Sequence, residues 1–178
     1  AVRAANSGHL VFATIHAPIA ASGIQSMRSL GTHPHFLSTC LRGVISQRLV
    51  RTLCPECKYA IDLADAPHTF DDVRPWLGAD EGRKLYAARG CPKCQQTGYA
   101  ARTGIFEVMT INQEIRSHIA ETRPIRQLRH AAVAAKMMEF RHSALLKVAR
   151  GITSTEEVFR VLPSEHLLAE LEAPEMQR

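Results

Sequence analysis

Hydrophobic and polar positions predict one strand followed by two helices along the first third of the chain. Residues 9–16 form a continuous apolar run, His-Leu-Val-Phe-Ala-Thr-Ile-His, which is typical of a strand buried on both faces of an α/β sheet. Residues 20–30 carry apolar side chains at helical spacing, which predicts a helix that ends at Gly31. A second apolar stripe, from Leu37 to Leu53, predicts a helix over residues 35–53. The order of these elements favours an α/β fold.

The rest of the chain is mixed at first and then helical. The predicted elements are a short helix at 71–77, a strand at 84–87, a strand at 102–111, helices opening at Asn112 and Pro124, a helix at 139–150, a helix at 156–162 and an amphipathic tail at 164–171. We interpret Thr153-Ser-Thr-Glu156 as the capping box of the 156–162 helix. Trp76 is expected to anchor a small core near the short helix.

Two cysteine pairs carry the most specific chemical signal. Cys54-Pro-Glu-Cys57 and Cys91-Pro-Lys-Cys94 each place two thiols on one tight turn, and four thiolates suit the closed tetrahedral site of a structural zinc. The alternatives are two disulfides or four free thiols. A thioredoxin-like redox motif is disfavoured because such a motif follows a strand, whereas Cys54 follows a predicted helix. The fifth cysteine, Cys40, is expected to be a buried, inert thiol.

Composition and charge narrow the class of protein. A chain with 46% hydrophobic and 22% charged residues is globular and not disordered. The formal charge of +5 becomes +3 when four thiolates bind one Zn²⁺, and lysine and arginine are dispersed, so a nucleic-acid-binding zinc module is the weaker alternative. No apolar stretch reaches the roughly 18 residues that span a bilayer, so any membrane role would go through a partner. An odd cysteine count with no signal peptide favours a reducing cytoplasm.

Three further residues are candidates for a ligand-binding site. Thr14 and His16 lie at the C-terminal end of the predicted 9–16 strand, where ligands bind in open α/β sheets. The alternative for His16 is a hydrogen-bonded structural histidine. Arg48, on the polar face of the predicted 35–53 helix, either contacts nucleotide phosphate or a neighbouring subunit, or belongs to a solvated face.

Four motifs in order resemble one family over some 150 residues. The motifs are Ser7-Gly-His-Leu-Val-Phe-Ala-Thr-Ile-His16, the segment 43–57 with the first cysteine pair, Gly90-Cys-Pro-Lys-Cys94 followed by Thr97-Gly-Tyr99 and Arg102-Thr-Gly-Ile-Phe-Glu107, and Gly151-Ile-Thr-Ser-Thr-Glu-Glu-Val-Phe-Arg160. Together they are similar to the ATPases that power type II secretion and type IV pilus assembly, and the chain resembles a C-terminal fragment of such a protein.

The resemblance implies a fold and a division of the chain. It implies the C-terminal part of a RecA-like P-loop ATPase domain with a Cys₄ zinc-binding insert and a C-terminal helical subdomain. The expected divisions are ATPase core at 1–53, the zinc insert at 54–101, a returning strand at 102–111 and the helical subdomain at 112–178.

The resemblance also implies a function. Such proteins form a hexameric ring on the cytoplasmic face of the inner membrane and couple hydrolysis of ATP, with Mg²⁺, to pilus or pseudopilus assembly and protein export. Expected partners are the other subunits of the ring and the inner-membrane platform and adaptor proteins, with no nucleic acid. In this frame His16 senses the γ-phosphate region of the nucleotide, with Thr14 and Arg48 as further nucleotide or subunit contacts.

The sequence departs from the family pattern at several points. Ala17-Pro-Ile-Ala20 replaces the usual polar continuation of the histidine motif, and His142-Ser143 stands where Asp-Gly is usual. No G-x-x-x-x-G-K-[ST] motif occurs in the 178 residues. We therefore expect the parent protein to hydrolyse ATP and this fragment alone to be inactive.

Overall fold

The computed structural model describes residues 1–163, which form two compact units. One unit comprises residues 1–47 and 106–139, and the other comprises residues 48–105 and the described residues from 140 onward. The predicted tail at 164–171 lies outside the described residues. The expected domain divisions at 1–53, 54–101, 102–111 and 112–178 stay a prediction.

Seven helices and four strands of the described residues follow the chain in mixed order, which confirms an α/β composition. They are α1 (Val2–Asn6), α2 (Ala20–Ser29), α3 (Pro34–Cys40), β1 (Gly43–Leu53), β2 (Tyr59–Asp62), β3 (Lys84–Ala87), β4 (Tyr99–Thr110), α4 (Gln113–Ala120), α5 (Ile125–Ala134), α6 (Phe140–Ala149) and α7 (Thr155–Val161). Two 3₁₀ helices, Asp71–Trp76 and Pro92–Cys94, complete the list. β1 pairs with β4, and β2 pairs with β3.

The first unit has a core built from helix faces and one strand. Buried apolar side chains of α2, α3, α4, α5 and β4 pack together, among them Ile24, Leu37, Met109, Ile115 and Leu128. The carboxylate of Glu107, buried on β4, accepts a hydrogen bond of 2.8 Å from the backbone N–H of Ala20, the first residue of α2. A carboxylate at a helix N-terminus satisfies a free donor and matches the helix dipole.

The prediction of a strand at residues 9–16 is wrong for this chain. The run has no regular secondary structure, and Leu10 and Phe12 are 81% and 89% exposed. A strand of this composition is stable only with apolar neighbours on both faces. The described residues do not supply such neighbours.

The predicted helix over 35–53 is also wrong in its second half. α3 ends at Cys40, and the chain continues as the strand β1. Burial alternates along β1, with Val44 and Ser46 more buried than Ile45 and Gln47, as expected for a strand. β-branched residues favour a paired strand here, and β4 supplies the partner. Cys40 is half-buried at the end of α3, so the prediction of a fully buried thiol is wrong as well.

The second unit contains a small hairpin and its own core. β2 and β3 pair antiparallel, with Tyr59 opposite Ala87 and Asp62 opposite Lys84, which confirms the strand predicted at 84–87. The short helix predicted at 71–77 is the 3₁₀ helix Asp71–Trp76. Trp76 is not its core anchor, because its side chain is 50% exposed and the buried residues are Phe70 and Val73. The large indole is rarely buried completely.

The helices predicted between residues 112 and 162 are confirmed to within a few residues. Asn112 caps α4, and its side-chain oxygen accepts a hydrogen bond of 2.8 Å from the N–H of Ile115. Pro124 is the N-cap of α5. The N-cap of α7 is one residue later than predicted, because Ser154 is the N-cap and its hydroxyl accepts from the N–H of Glu157 at 3.3 Å. Within residues 1–163, no helix has both the length and the apolar character needed to cross a bilayer.

Candidate metal centre

The two cysteine turns are held in shape by their own backbone hydrogen bonds. β1 ends at Leu53, and the carbonyl of Cys54 accepts from the N–H of Lys58 at 3.0 Å, which closes the first turn. In the second turn the carbonyl of Cys91 accepts from the N–H of Gln96 at 2.9 Å. The Cys54 N–H then donates to the carbonyl of Gly98 at 2.9 Å, so the two turns are joined through the main chain.

The four sulfur atoms converge on one point. The Sγ atoms of Cys54 and Cys91 are 4.0 Å apart, those of Cys57 and Cys94 are 3.9 Å apart, and those of Cys91 and Cys94 are 3.7 Å apart. All four lie within 4.8 Å of one another, and they are the one group of three or more metal-ligating side chains found among residues 1–163. A disulfide requires about 2.05 Å between its sulfurs, so these are four thiols.

The geometry of the sulfurs fits a tetrahedral zinc ion. A Zn–S bond of about 2.3 Å places the corners of a tetrahedron about 3.8 Å apart. Three of the separations, from 3.7 to 4.0 Å, bracket that value. Cys54 and Cys94 are buried, while Cys57 and Cys91 are half-buried, so the ligand set is largely shielded from water. The donor set therefore fits a closed structural site.

Hydrogen bonds from backbone amides stabilise the thiolate form of Cys94. The Sγ of Cys94 accepts hydrogen bonds of 3.2 Å from the N–H groups of Cys91 and Gly98. Burial acts to raise the pKa of Cys94, but these donors outweigh burial and lower the pKa to about 6. Burial, together with hydrogen bonds to the neighbouring thiols, raises the pKa of Cys57 to about 11. Cys94 therefore becomes a thiolate, the form that zinc binds, more readily than Cys57 does.

Gly98 is required by the approach of two chain segments. Its φ of +76° lies in the left-handed region, and a Cβ atom there would be 2.6 Å from the Cβ of Ala88. Outside the cluster, Lys93 donates to Glu56 at 2.7 Å and so links the two turns at the surface. Because both side chains are exposed, this ion pair contributes little to stability.

A buried polar network lies beside the metal centre, and the sequence did not predict it. Glu157 is fully buried, and its carboxylate accepts from the backbone N–H and the Nε of Arg51, each at 2.8 Å. It also accepts from the guanidinium of Arg160 at 2.6 and 2.7 Å. The S-x-x-E spacing of Ser154 and Glu157 is the local signal for this cap, and the overlapping T-x-x-E pattern one residue earlier competes with it.

The three residues predicted to contact nucleotide, Thr14, His16 and Arg48, are not part of the four-cysteine cluster, and the structure does not assign them a ligand. Thr14 and His16 are exposed, in the irregular segment before α2, and the carbonyl of His16 accepts from the hydroxyl of Ser26 at 3.2 Å. Arg48 lies on β1 and not on a helix, with its guanidinium carbon 5.8 Å from the centre of the Phe140 ring. Thr14 and His16 belong to the first compact unit and Arg48 to the second.

The fold and the site define a class: a mixed helix–strand protein with a tetracysteine cluster able to hold a metal ion. Comparison with known proteins gives the family. The model of the family "Type II/IV secretion system protein" matches residues 1–160, and the chain belongs to that family.

Characterised relatives are secretion and pilus ATPases. The chain is 39% identical over 163 residues to the type II secretion system ATPase E of Vibrio cholerae, covering 90% of this chain and 31% of the relative. It is 36% identical over 165 residues to the type IV pilus assembly ATPase TfpB of Acinetobacter baylyi, covering 92% and 28%. It is also 36% identical over 158 residues to the type IV pilus assembly ATPase PilB of Thermus thermophilus, covering 89% and 18%. The chain therefore spans about a third or less of the length of these relatives.

Proposed function

We propose that this chain is the C-terminal portion of an ATPase that drives type II secretion or type IV pilus assembly. In this proposal the complete protein couples ATP hydrolysis to pilus or pseudopilus assembly and protein export. Membership of the family and the names of the relatives support the ATPase role. The chain's own part is structural, and the observation that carries this part of the proposal is the convergence of four cysteine sulfurs within 4.8 Å.

The proposed cofactor of the four-cysteine site is zinc. Cys54, Cys57, Cys91 and Cys94 would hold the ion, which supplies four strong bonds and no reaction chemistry. Because the cysteines come from two segments 33 residues apart, the ion would fix the ends of the intervening segment. Such a site contributes its binding energy to folding.

The proposed nucleotide role is divided between this chain and the rest of the protein. ATP and Mg²⁺ would be bound mainly by residues outside the 178, since these contain no P-loop motif. His16 would sense the nucleotide, and Thr14 and Arg48 would contact the nucleotide or a neighbouring subunit. The ring would be a hexamer on the cytoplasmic face of the inner membrane, in contact with the platform and adaptor proteins of the machine.

The competing functions gain no specific support. A nucleic-acid module would need clustered positive charge, whereas lysine and arginine are dispersed along the sequence. One argument against a thioredoxin-like redox motif no longer applies, because Cys54 follows the strand β1 and not a helix. However, all four sulfurs lie within 4.8 Å of one another, as the ligands of one metal ion do, and do not stand as one isolated C-x-x-C pair.

Two measurements test the proposed function. The gene is expected to encode a P-loop motif upstream of Ala1, and the complete protein is expected to hydrolyse ATP, while the 178-residue chain shows no turnover above a buffer control. A gene without a P-loop motif contradicts the ATPase assignment. ATP hydrolysis by the 178-residue chain alone contradicts the proposal that residues outside this chain are needed to bind ATP and Mg²⁺.

A further inference from the structure

Among the described residues of the second unit, the buried polar side chains lie in one segment, from Gly151 to Glu157. Thr153, Ser154 and Glu157 are each fully buried. Buried polar groups are retained where they are hydrogen-bonded, and every one of these three has a partner in the structure. We call residues 151–157 the latch.

The latch is tied to the first cysteine turn on both of its sides. Just before Cys54, the N–H of Leu53 donates to the carbonyl of Ile152 at 2.9 Å. Just after Cys57, the Nζ of Lys58 donates to the carbonyl of Gly151 at 2.8 Å. The first cysteine turn is therefore bracketed by two hydrogen bonds to adjacent residues of the latch.

The second cysteine turn contacts the latch through Tyr99. Gly98 donates its N–H to the Sγ of Cys94, and the next residue, Tyr99, places its hydroxyl 2.8 Å from the hydroxyl of Ser154. Ser154 is also the N-cap of α7 and accepts from the N–H of Glu157. A chain of contacts thus runs from a metal-ligating sulfur to the first turn of α7.

Glu157 anchors the latch to β1. Its carboxylate takes hydrogen bonds from the main chain and side chain of Arg51, three residues before Cys54, and from Arg160 within α7. The hydroxyl of Thr153 adds a bond of 2.7 Å to the carbonyl of Arg51. α7 is therefore held to the strand that leads into the metal centre.

We propose that the latch couples the tetracysteine site to α7, with Glu157 as a positioning residue, so that metal binding orders this helix. The inference rests on the proposed metal site. A bound ion fixes both cysteine turns, and with them Leu53, Lys58 and Tyr99, which hold the latch in place. Coupling of binding free energies is reciprocal, so loosening the latch weakens metal binding in turn.

The test combines zinc affinity with hydrogen exchange. Zn²⁺ affinity is measured by competition with a chromophoric chelator, and amide exchange is followed in α7 and, as an internal reference, in α4. In the unsubstituted protein, removal of Zn²⁺ is expected to raise exchange in α7 at least about tenfold, with little change in α4. Glu157→Gln is expected to weaken Zn²⁺ binding about tenfold and to raise exchange in α7 with Zn²⁺ bound. The matched control is Glu156→Gln, whose side chain is exposed, and it should change neither quantity.

The outcomes separate the latch from the metal site itself. If the unsubstituted protein binds no Zn²⁺, the metal site and the latch both fail. If Zn²⁺ binds but its removal leaves α7 unchanged, or raises exchange in α4 equally, the latch alone is overturned. Should Glu157→Gln not fold, Tyr99→Phe removes only the contact between Tyr99 and Ser154. A smaller change in the same direction is then expected, and unchanged affinity and exchange overturn the proposal.

Discussion

Glu157 and Arg51 lie 106 residues apart in sequence, yet the Glu157 carboxylate accepts hydrogen bonds of 2.8 Å from both the main-chain N–H and the Nε of Arg51. A third contact, from the terminal nitrogen of Arg51, measures 2.7 Å. Arg51 also stacks on Tyr99, with its guanidinium carbon 4.0 Å from the ring centre. One buried carboxylate therefore joins β1, α7 and the start of β4.

Removing this carboxylate should be costly. Glu157→Ala leaves the main-chain N–H of Arg51 without its acceptor and removes the partner of two guanidinium groups. We expect the free energy of unfolding to fall by about 3 kcal/mol. Chemical denaturation of the Zn²⁺-loaded protein measures the change. Glu156→Ala, at an exposed neighbour, should stay within about 0.5 kcal/mol of the unsubstituted protein, and an equal loss in both variants would show that the network is unimportant.

The same carboxylate should make stability depend on pH. Burial acts to raise the pKa of Glu157, but hydrogen bonds from Arg160 and Arg51 outweigh burial and lower the pKa from 4.5 to about 2. Since the folded-state pKa is the lower one, the contribution to stability is complete above the unfolded pKa and is lost as pH falls from about 5 to 2. Its size is about 2 kcal/mol, because Arg51 and Arg160 are partly exposed and water screens them.

A difference measurement isolates this contribution from acid release of a metal ion. The stability gap between the unsubstituted protein and Glu157→Gln is expected to be constant from pH 8 to pH 5 and to shrink below that. Because Glu157→Gln is also expected to weaken Zn²⁺ binding, both proteins are kept saturated with Zn²⁺, and the gap is compared only at pH values where both retain the ion. A gap that grows on acidification would mean that the pKa of Glu157 is raised and not lowered.

Gly151 should tolerate no side chain. Its φ is +63°, and a Cβ atom there would lie 2.6 Å from the Cδ2 atom of the Tyr86 ring. Gly151→Ala is expected to cost about 3 kcal/mol, of which about 1 to 2 kcal/mol is backbone strain and the rest is steric overlap with the ring. Gly82→Ala is the control, because φ is similar at +75° but the closest atom is the movable end of Leu77 at 3.0 Å. Thermal unfolding should rank Gly151→Ala as the more destabilised variant, and the opposite ranking would refute the steric argument.

The predicted role of His16 is testable in the complete protein. If His16 senses the nucleotide, His16→Ala should lower the rate of ATP hydrolysis about tenfold or more while leaving metal content unchanged. His9→Ala is a fitting control, because His9 is also exposed but bonds locally to Ser7. Equal rates for His16→Ala and the unsubstituted protein would remove His16 from the functional residues.

Local sequence signals predicted part of the fold well. Helix α2, the cap at Asn112 and the strand β3 follow from spacing and capping residues, which act within a few positions of each other. The two C-P-x-C turns likewise indicate that the four cysteines converge on one site. These features depend on short-range chemistry that a sequence displays directly.

The errors share a different physical origin. The apolar residues of β1 satisfy both the helical and the strand periodicity, and only pairing with β4 decides between them. The 9–16 run has strand composition but lacks apolar neighbours among the described residues. The contact of Glu157 with Arg51 cannot be predicted locally, because the two residues are distant in sequence and no local pattern reports such a contact.

The central claim is that four cysteines hold one structural zinc ion, and metal analysis tests it most directly. Purified protein should contain about one zinc per chain by elemental mass spectrometry, and chelation should release the ion and lower the stability of the cysteine-bearing unit. Cys57→Ser should lose the metal, whereas Cys40→Ser, at the half-buried thiol outside the cluster, should retain it. A protein that is folded and free of metal, with all five thiols titratable before and after chelation, would contradict the claim.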